Sequence, residues 1–217
     1  MGATPATSGK TSRSLGGRPL VVSLGLVLLG LVLLAGFVVG RARQTPALAG
    51  GIFNDTPVAP DFTLVDQNGT SFAMQSTRGR VVAMTFLYTH CPDVCPIIAN
   101  KLAGSVAQLG PDAQNVDMLA VSMDPVGDSR LAISKFTEDH GLAGYANWHY
   151  LIGSPSQLRP VWRAYNVDAQ PDPAGGPFVG HSALVYLIDR SGKLRVVLDA
   201  NFSPSDLLED VKALLRS

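Results

Sequence analysis

The two cysteines of this 217-residue chain stand four positions apart, as Cys91 and Cys95 in the stretch YTHCPDVCP. Three chemistries fit such a pair: a structural staple, a redox couple, or half of a metal site. A staple is poor here, because the closed loop is very short and the chain-entropy gain grows with loop length. Residues i and i+4 share a helix face, so the thiols point together provided a helix begins near Cys91. Their Cα atoms would then lie roughly 6 Å apart, within disulfide range. A helix N-terminus favours the thiolate, which is both nucleophile and metal ligand. The common redox spacing has two intervening residues, whereas this pair has three. Two thiolates make a soft site, suited to Cu(I) or zinc, and leave it one or two ligands short.

The chain has four histidines that could complete such a site, His90, His140, His149 and His181. His90 adjoins Cys91, but in an extended entry it points away from it. His140 ends an expected helix, and His149 alternates with Tyr150 in an expected strand. His181 follows the loop DAQPDPAGGPFVG and opens a strand, the one place from which a distant segment folds over the cysteines. From the residues alone it is either a ligand or an ordinary hydrogen-bonded histidine. Met84, Met118 and Met123 fall in strand patterns and read as core filler.

The elements that must position these groups alternate between strand and helix. DFTLVDQNGTSF reads as a hairpin turning at Asn68-Gly69. The nearly continuous apolar run Val81–Tyr88 predicts a central strand buried on both faces. The run after Cys95 has Ile98, Leu102, Val106 and Leu109 near helical spacing and closes at Gly110. VDMLAVSM predicts a second buried strand. A helix over about 129–140 follows, with Asp128 as its N-cap. WHYLIG reads as a short strand, and SPSQLRPVWRAYNV as a short helix interrupted or started around Pro160. Two strands cross a turn at Ser191-Gly192. In the last helix Ser203 caps and Pro204 takes the first position, while Leu207, Leu208, Val211, Leu214 and Leu215 form the buried face. The expected fold class is α/β, a mixed central sheet flanked by helices. The cysteines fall at the end of its most buried strand, the rim where open α/β folds place their sites.

The formal net charge is zero, but the distribution is uneven. Residues 1–43 carry five basic and no acidic side chains; residues 44–217 carry twelve basic and seventeen acidic. The basic stretch is small, local and free of interleaved aromatics, which argues against a nucleic-acid partner. It flanks Leu20–Gly40, 21 residues without a charge. At about 1.5 Å per residue that run matches ~30 Å of hydrocarbon. It predicts one transmembrane helix at 20–40, after a disordered cytoplasmic tail at 1–19 and before a linker at 41–60. The globular domain is expected at 61–217. The competing reading is a cleaved signal peptide, with Ala47–Ala49 resembling a cleavage site, although the run exceeds an ordinary h-region. Either way the domain is exported, where free thiols need a disulfide, a metal or a reductant. The basic bias and the lack of a clear transit peptide point to a bacterial inner membrane, with the domain facing the periplasm.

FLYTHCPDVCP, VSMDP and HSALVYLIDRSGKL together resemble the Sco/SenC family of copper chaperones for cytochrome c oxidase assembly. The resemblance covers about residues 58–215 plus the N-terminal anchor. It implies a thioredoxin-like fold and one copper per domain, as Cu(I), Cu(II) or both. Its implied ligands are Cys91, Cys95 and His181. The implied partner is the copper-site subunit of the oxidase, with other periplasmic copper chaperones or thioredoxin-like reductases as further candidates. Asp93 and Asp124 match acidic positions of the family and are candidates for supporting or partner-facing contacts. One position departs: Gly180 stands where the family often has an aspartate before the distal histidine, which bears on affinity or exchange. The resemblance favours a metallochaperone over an enzyme. A tethered thiol-disulfide oxidoreductase, with Cys91 and Cys95 as its redox pair, is the alternative. A peroxidase and a zinc site are weaker readings.

Overall fold

The computed structural model describes Gly2, Leu26 and residues 28–37, 48–167 and 183–217. The chain divides into two compact units, residues 1–45 and 46–217. In the first, residues 28–37 are helical and their side chains are exposed. Among the described residues no helix is long and apolar enough to cross a membrane. The expected span at 20–40 extends outside the described residues at both ends, and the expected tail lies outside them apart from Gly2.

The second unit is built on a six-stranded mixed sheet. Its strands are β1 (Gly51–Ile52), β4 (Val81–Leu87), β5 (Val116–Ser122), β6 (Trp148–Leu151), β7 (Leu184–Ile188) and β8 (Leu194–Asp199), ordered β1-β8-β7-β4-β5-β6. β4, β5 and β6 run parallel, while β7 is antiparallel to β4 and β8 to β7. Every residue of β4 and β5 is buried, which is why both read as mostly apolar runs, broken only by Thr85 in β4 and by Asp117 and Ser122 in β5. The hairpin at Asn68-Gly69 forms its own small sheet from β2 (Thr63–Val65) and β3 (Ser71–Ala73). Gly69 supplies the positive φ of 84° that its turn requires.

Helices cover both faces. Ile98, Leu102 and Val106 of α1 (Val94–Ala107), Ile133 and Phe136 of α2 (Arg130–Asp139), and Leu207, Val211 and Leu214 of α4 (Pro204–Arg216) share one core with Val81, Ala83 and Leu87 of β4. Val82, Met84 and Phe86 face the opposite core, packed with the hairpin and with Leu158, Val161 and Trp162 of α3 (Pro155–Ala164). Met84, Met118 and Met123 are fully buried core residues. The α/β class with a mixed central sheet is the one expected.

Four local readings change. The N-cap of α2 is Ser129, whose hydroxyl accepts from the Ala132 N–H at 3.2 Å, so Asp128 is released from capping. α3 begins at Pro155 and runs through Pro160. Ser154 and Gln157 form a capping box at its start, and the carbonyl that Pro160 leaves without a donor belongs to the exposed Ser156. β1 lies inside the stretch read as linker. Asp210 of α4 fixes the approach to it, accepting from the Ala49 N–H at 2.7 Å and the Gly50 N–H at 3.2 Å. A side chain at Gly50 would collide with Val196 and Leu198, so this close approach needs glycine. The fourth change concerns the cysteines.

Candidate metal and thiol site

β4 ends at Leu87, and α1 does not begin until Val94. Cys91 therefore precedes the helix instead of opening it; its N–H donates to the Tyr88 carbonyl at 3.3 Å, closing a turn. A residue before proline is pushed off the helical region, and Pro92 follows Cys91. Cys95 is also followed by a proline, but it is the second helical residue and Pro96 the third. No N–H is needed there for an intrahelical bond, so the helix tolerates it. The pair thus meets through a turn packed on a helix N-terminus, not through i,i+4 spacing on a continuous helix. Both cysteines are free and buried, Cys91 at 7% exposure and Cys95 at 0%.

The two thiols are unequal. The Cys95 thiol donates a hydrogen bond to the Cys91 sulfur and, with the Asp93 and Cys95 N–H groups and the Tyr88 hydroxyl, pulls the Cys91 pKa down to about 5. Burial opposes this shift without overcoming it. Cys95 is pushed up, first because its proton serves that hydrogen bond and then by burial. Tyr88 rises to about 12, through burial and its bond to Cys91, so it remains a donor at neutral pH. The arrangement is one thiolate beside one thiol, sharing a proton at the mouth of a helix.

A buried polar cluster supports the turn. The Asp128 carboxylate accepts at Oδ1 from the Thr89 N–H and the Thr89 hydroxyl, both at 2.8 Å. At Oδ2 it accepts from Ser122 at 2.6 Å and Tyr150 at 3.0 Å. Ser122 also accepts from the Asp124 N–H at 3.2 Å. The sequence reading missed this cluster. Its signal was two consecutive capping residues, Asp128 and Ser129, of which a helix needs one.

The remaining expected residues are dispersed. Asp93 is exposed at the N-cap of α1, and its side chain makes no capping bond. Asp124 is buried and turned onto its own loop, accepting from Gly127 at 2.8 Å and Val126 at 3.2 Å. His90 is exposed, with Nδ1 3.1 Å from the Thr89 hydroxyl. The His140 ring lies 4.3 Å from that of Phe136, and the ring of His149 lies 4.6 Å from that of Phe72. His149 Nδ1 approaches Asp66 at 3.6 Å, on the hairpin side of the sheet. His181 and Gly180 lie outside the described residues. Among the described residues no group of three or more His, Cys, Asp and Glu side chains is placed to hold a metal. Two soft sulfur donors, one already ionised, suit Cu(I) and need completion from elsewhere.

Residues 53–216 match the SCO1/SenC family model. An SCO2-like protein of Rickettsia felis is 28% identical over 180 residues, covering 79% of this chain and 85% of its own. ScoI of Bradyrhizobium japonicum, solved with copper bound, is 29% identical with a TM-score of 0.64, covering 73% of this chain and 99% of its own. The apo Sco1 protein of Thermus thermophilus is 25% identical with a TM-score of 0.68, covering 79% and 99%. The matched region holds the cysteine turn, strands β4 to β8 of the sheet that carries it and the helices on both faces, and the chain belongs to the SCO1/SenC family.

Proposed function

We propose that this chain is a membrane-anchored copper chaperone that delivers copper to the dinuclear copper site of cytochrome c oxidase. The observation that carries the reading is the free cysteine pair at the sheet rim, with Cys91 in the turn that closes onto Tyr88, Cys95 in the first turn of α1, and donors around Cys91 that pull its pKa down. Copper bound to the Bradyrhizobium relative supports the choice of cargo. His181 is the proposed third ligand and Leu20–Gly40 the proposed anchor. The proposed location is a bacterial inner membrane with the domain in the periplasm. A low-coordinate site lets a docked partner's thiols replace Cys91, Cys95 and His181 one at a time. Asp93, exposed between the two cysteines, is placed to meet that partner. Asp124 serves the loop behind the site.

The inequality of the thiols favours a second reading, a thiol-disulfide oxidoreductase acting on the same copper-site cysteines. The Cys91 thiolate attacks a disulfide sulfur of the partner, and the released sulfur takes up a proton. Cys95 then loses its proton and attacks Cys91 of the mixed disulfide, leaving a Cys91–Cys95 disulfide and a reduced partner. Two electrons pass to the partner. The two readings separate on His181. Loading the full chain with Cu(I) and mixing it with the metal-free copper-site domain should give transfer that His181→Ala loses. Unaltered copper transfer by that variant would remove His181 as a ligand, and disulfide reduction with no copper transfer by the wild type would remove the chaperone assignment.

A further inference from the structure

We propose that Asp128 is a positioning residue for the thiol pair, and that its carboxylate fixes the turn presenting Cys91. It is 6% exposed and lies outside the cysteine motif, yet both its oxygens are spent on that neighbourhood. Oδ1 takes both donors of Thr89, the residue between Tyr88 and His90 in the turn that closes onto Cys91. Oδ2 takes Ser122, the last residue of β5, and the Tyr150 hydroxyl of β6. One buried carboxylate thereby ties a loop to the two strands beside it.

The economy of the local sequence supports the assignment. Ser129 caps α2 without help, so Asp128 is not needed for the helix. A buried carboxylate is costly to desolvate, and four hydrogen bonds offset that cost only while the turn stays in place. Tyr88 and Cys91 flank Thr89 closely, and Tyr88 donates to the Cys91 sulfur. A displaced Thr89 therefore changes the Tyr88–Cys91 contact and the approach of Cys91 to Cys95. The loop beyond β5 is tied to the same point: a side chain at Gly127 would meet His90 Nδ1 at 3.3 Å and strike the Asp124 carboxylate. Asp128 thus holds together the two loops that border the site. It touches neither sulfur through a bond; its charge helps to push Cys95 up directly, and its positioning of Cys91 passes through Thr89.

This inference rests on the proposed copper role for affinity, but not for the disulfide potential. The experiment compares full-chain wild type with Asp128→Asn and Tyr150→Phe, measuring the Cys91–Cys95 reduction potential and the Cu(I) dissociation constant. Asp117→Asn serves as the control, since Asp117 is a fully buried carboxylate at the other end of β5 that pairs with Arg80. Loss of a hydrogen bond to a charged group predicts about a tenfold change in the thiol-disulfide equilibrium for Asp128→Asn, with a smaller change of the same sign for Tyr150→Phe. Weaker Cu(I) binding accompanies it, and Asp117→Asn alters stability alone. Should Asp128→Asn not fold, Tyr150→Phe carries the test, because it removes one donor and keeps the carboxylate. A potential equal to wild type in the folded variants, or an equal shift in Asp117→Asn, would overturn the assignment. A shifted potential in a chain that binds no Cu(I) would uphold the positioning role and reject the copper role.

Discussion

Alkylation of Cys91 as a function of pH tests the electrostatics of the pair. The Cys95 thiol, two backbone N–H groups and Tyr88 bring Cys91 from 9.0 down to about 5. At pH 7 such a group is about 99% thiolate, against about 1% for an ordinary thiol, a gain of about 100-fold in the reactive form. Nucleophilicity falls with basicity at a slope of about 0.4–0.5, so four units cost about 40- to 100-fold. The two effects nearly cancel, and the absolute rate at pH 7 says little. The shape of the profile decides the matter. The iodoacetamide rate on the reduced full chain, followed by mass spectrometry, should be flat from pH 6 to 9 and fall below about 5. Cys95→Ala removes the largest lowering contact, and its midpoint should move up toward 9. The folded-state value is depressed, so ionised Cys91 stabilises the reduced fold in full above about pH 9. That contribution declines as pH falls toward 5, while Cys95, pushed up, keeps its proton. A wild-type rate rising tenfold per unit between pH 7 and 8, or a Cys95→Ala profile unchanged from wild type, would refute the hydrogen-bond account.

Three stability predictions follow from packing and capping. Ile98 of α1 is fully buried in the core that also holds Cys91 and Cys95, and Ile98→Ala should cost about 2–5 kcal/mol in urea unfolding; a loss under about 1 kcal/mol would mean that the core there is not close-packed. Ser203 caps α4 by accepting from the Asp206 N–H at 3.1 Å, and Ser203→Ala should cost about 1 kcal/mol by the same assay. Leu131 is 82% exposed, and Leu131→Gln should leave stability within about 0.5 kcal/mol of wild type; a larger change would place it against something in solution.

The sequence made the central strands legible because β4 and β5 are covered on both faces, and such strands are predominantly apolar. It made the start of α4 legible because Ser203, Pro204 and Asp206 each act locally. The location of the thiols at the strand rim was also readable, since it needed only the order of elements. The route by which they meet was not. Spacing suggested a shared helix face, whereas Pro92 and the Tyr88–Cys91 turn keep Cys91 off the helix. Asp128 was misread for a related reason: local pattern names a capping residue but cannot see Thr89, 39 positions earlier in the chain, whose N–H and hydroxyl claim the carboxylate. β1 escaped notice because two residues carry no period, and their pairing depends on Asp210 of the distant last helix. The role of His181 was read from chain order and family resemblance, and it falls outside the described residues.

The most direct test of the central claim is X-ray absorption of the full chain loaded with one equivalent of Cu(I), alongside Cys91→Ala, Cys95→Ala and His181→Ala. The account predicts a copper ion with two sulfur neighbours and one nitrogen neighbour in the wild type. It predicts loss of tight binding in each cysteine variant, and a weakened site without that nitrogen in His181→Ala. Copper held equally well without Cys91 or Cys95, or an unchanged nitrogen neighbour without His181, would contradict it.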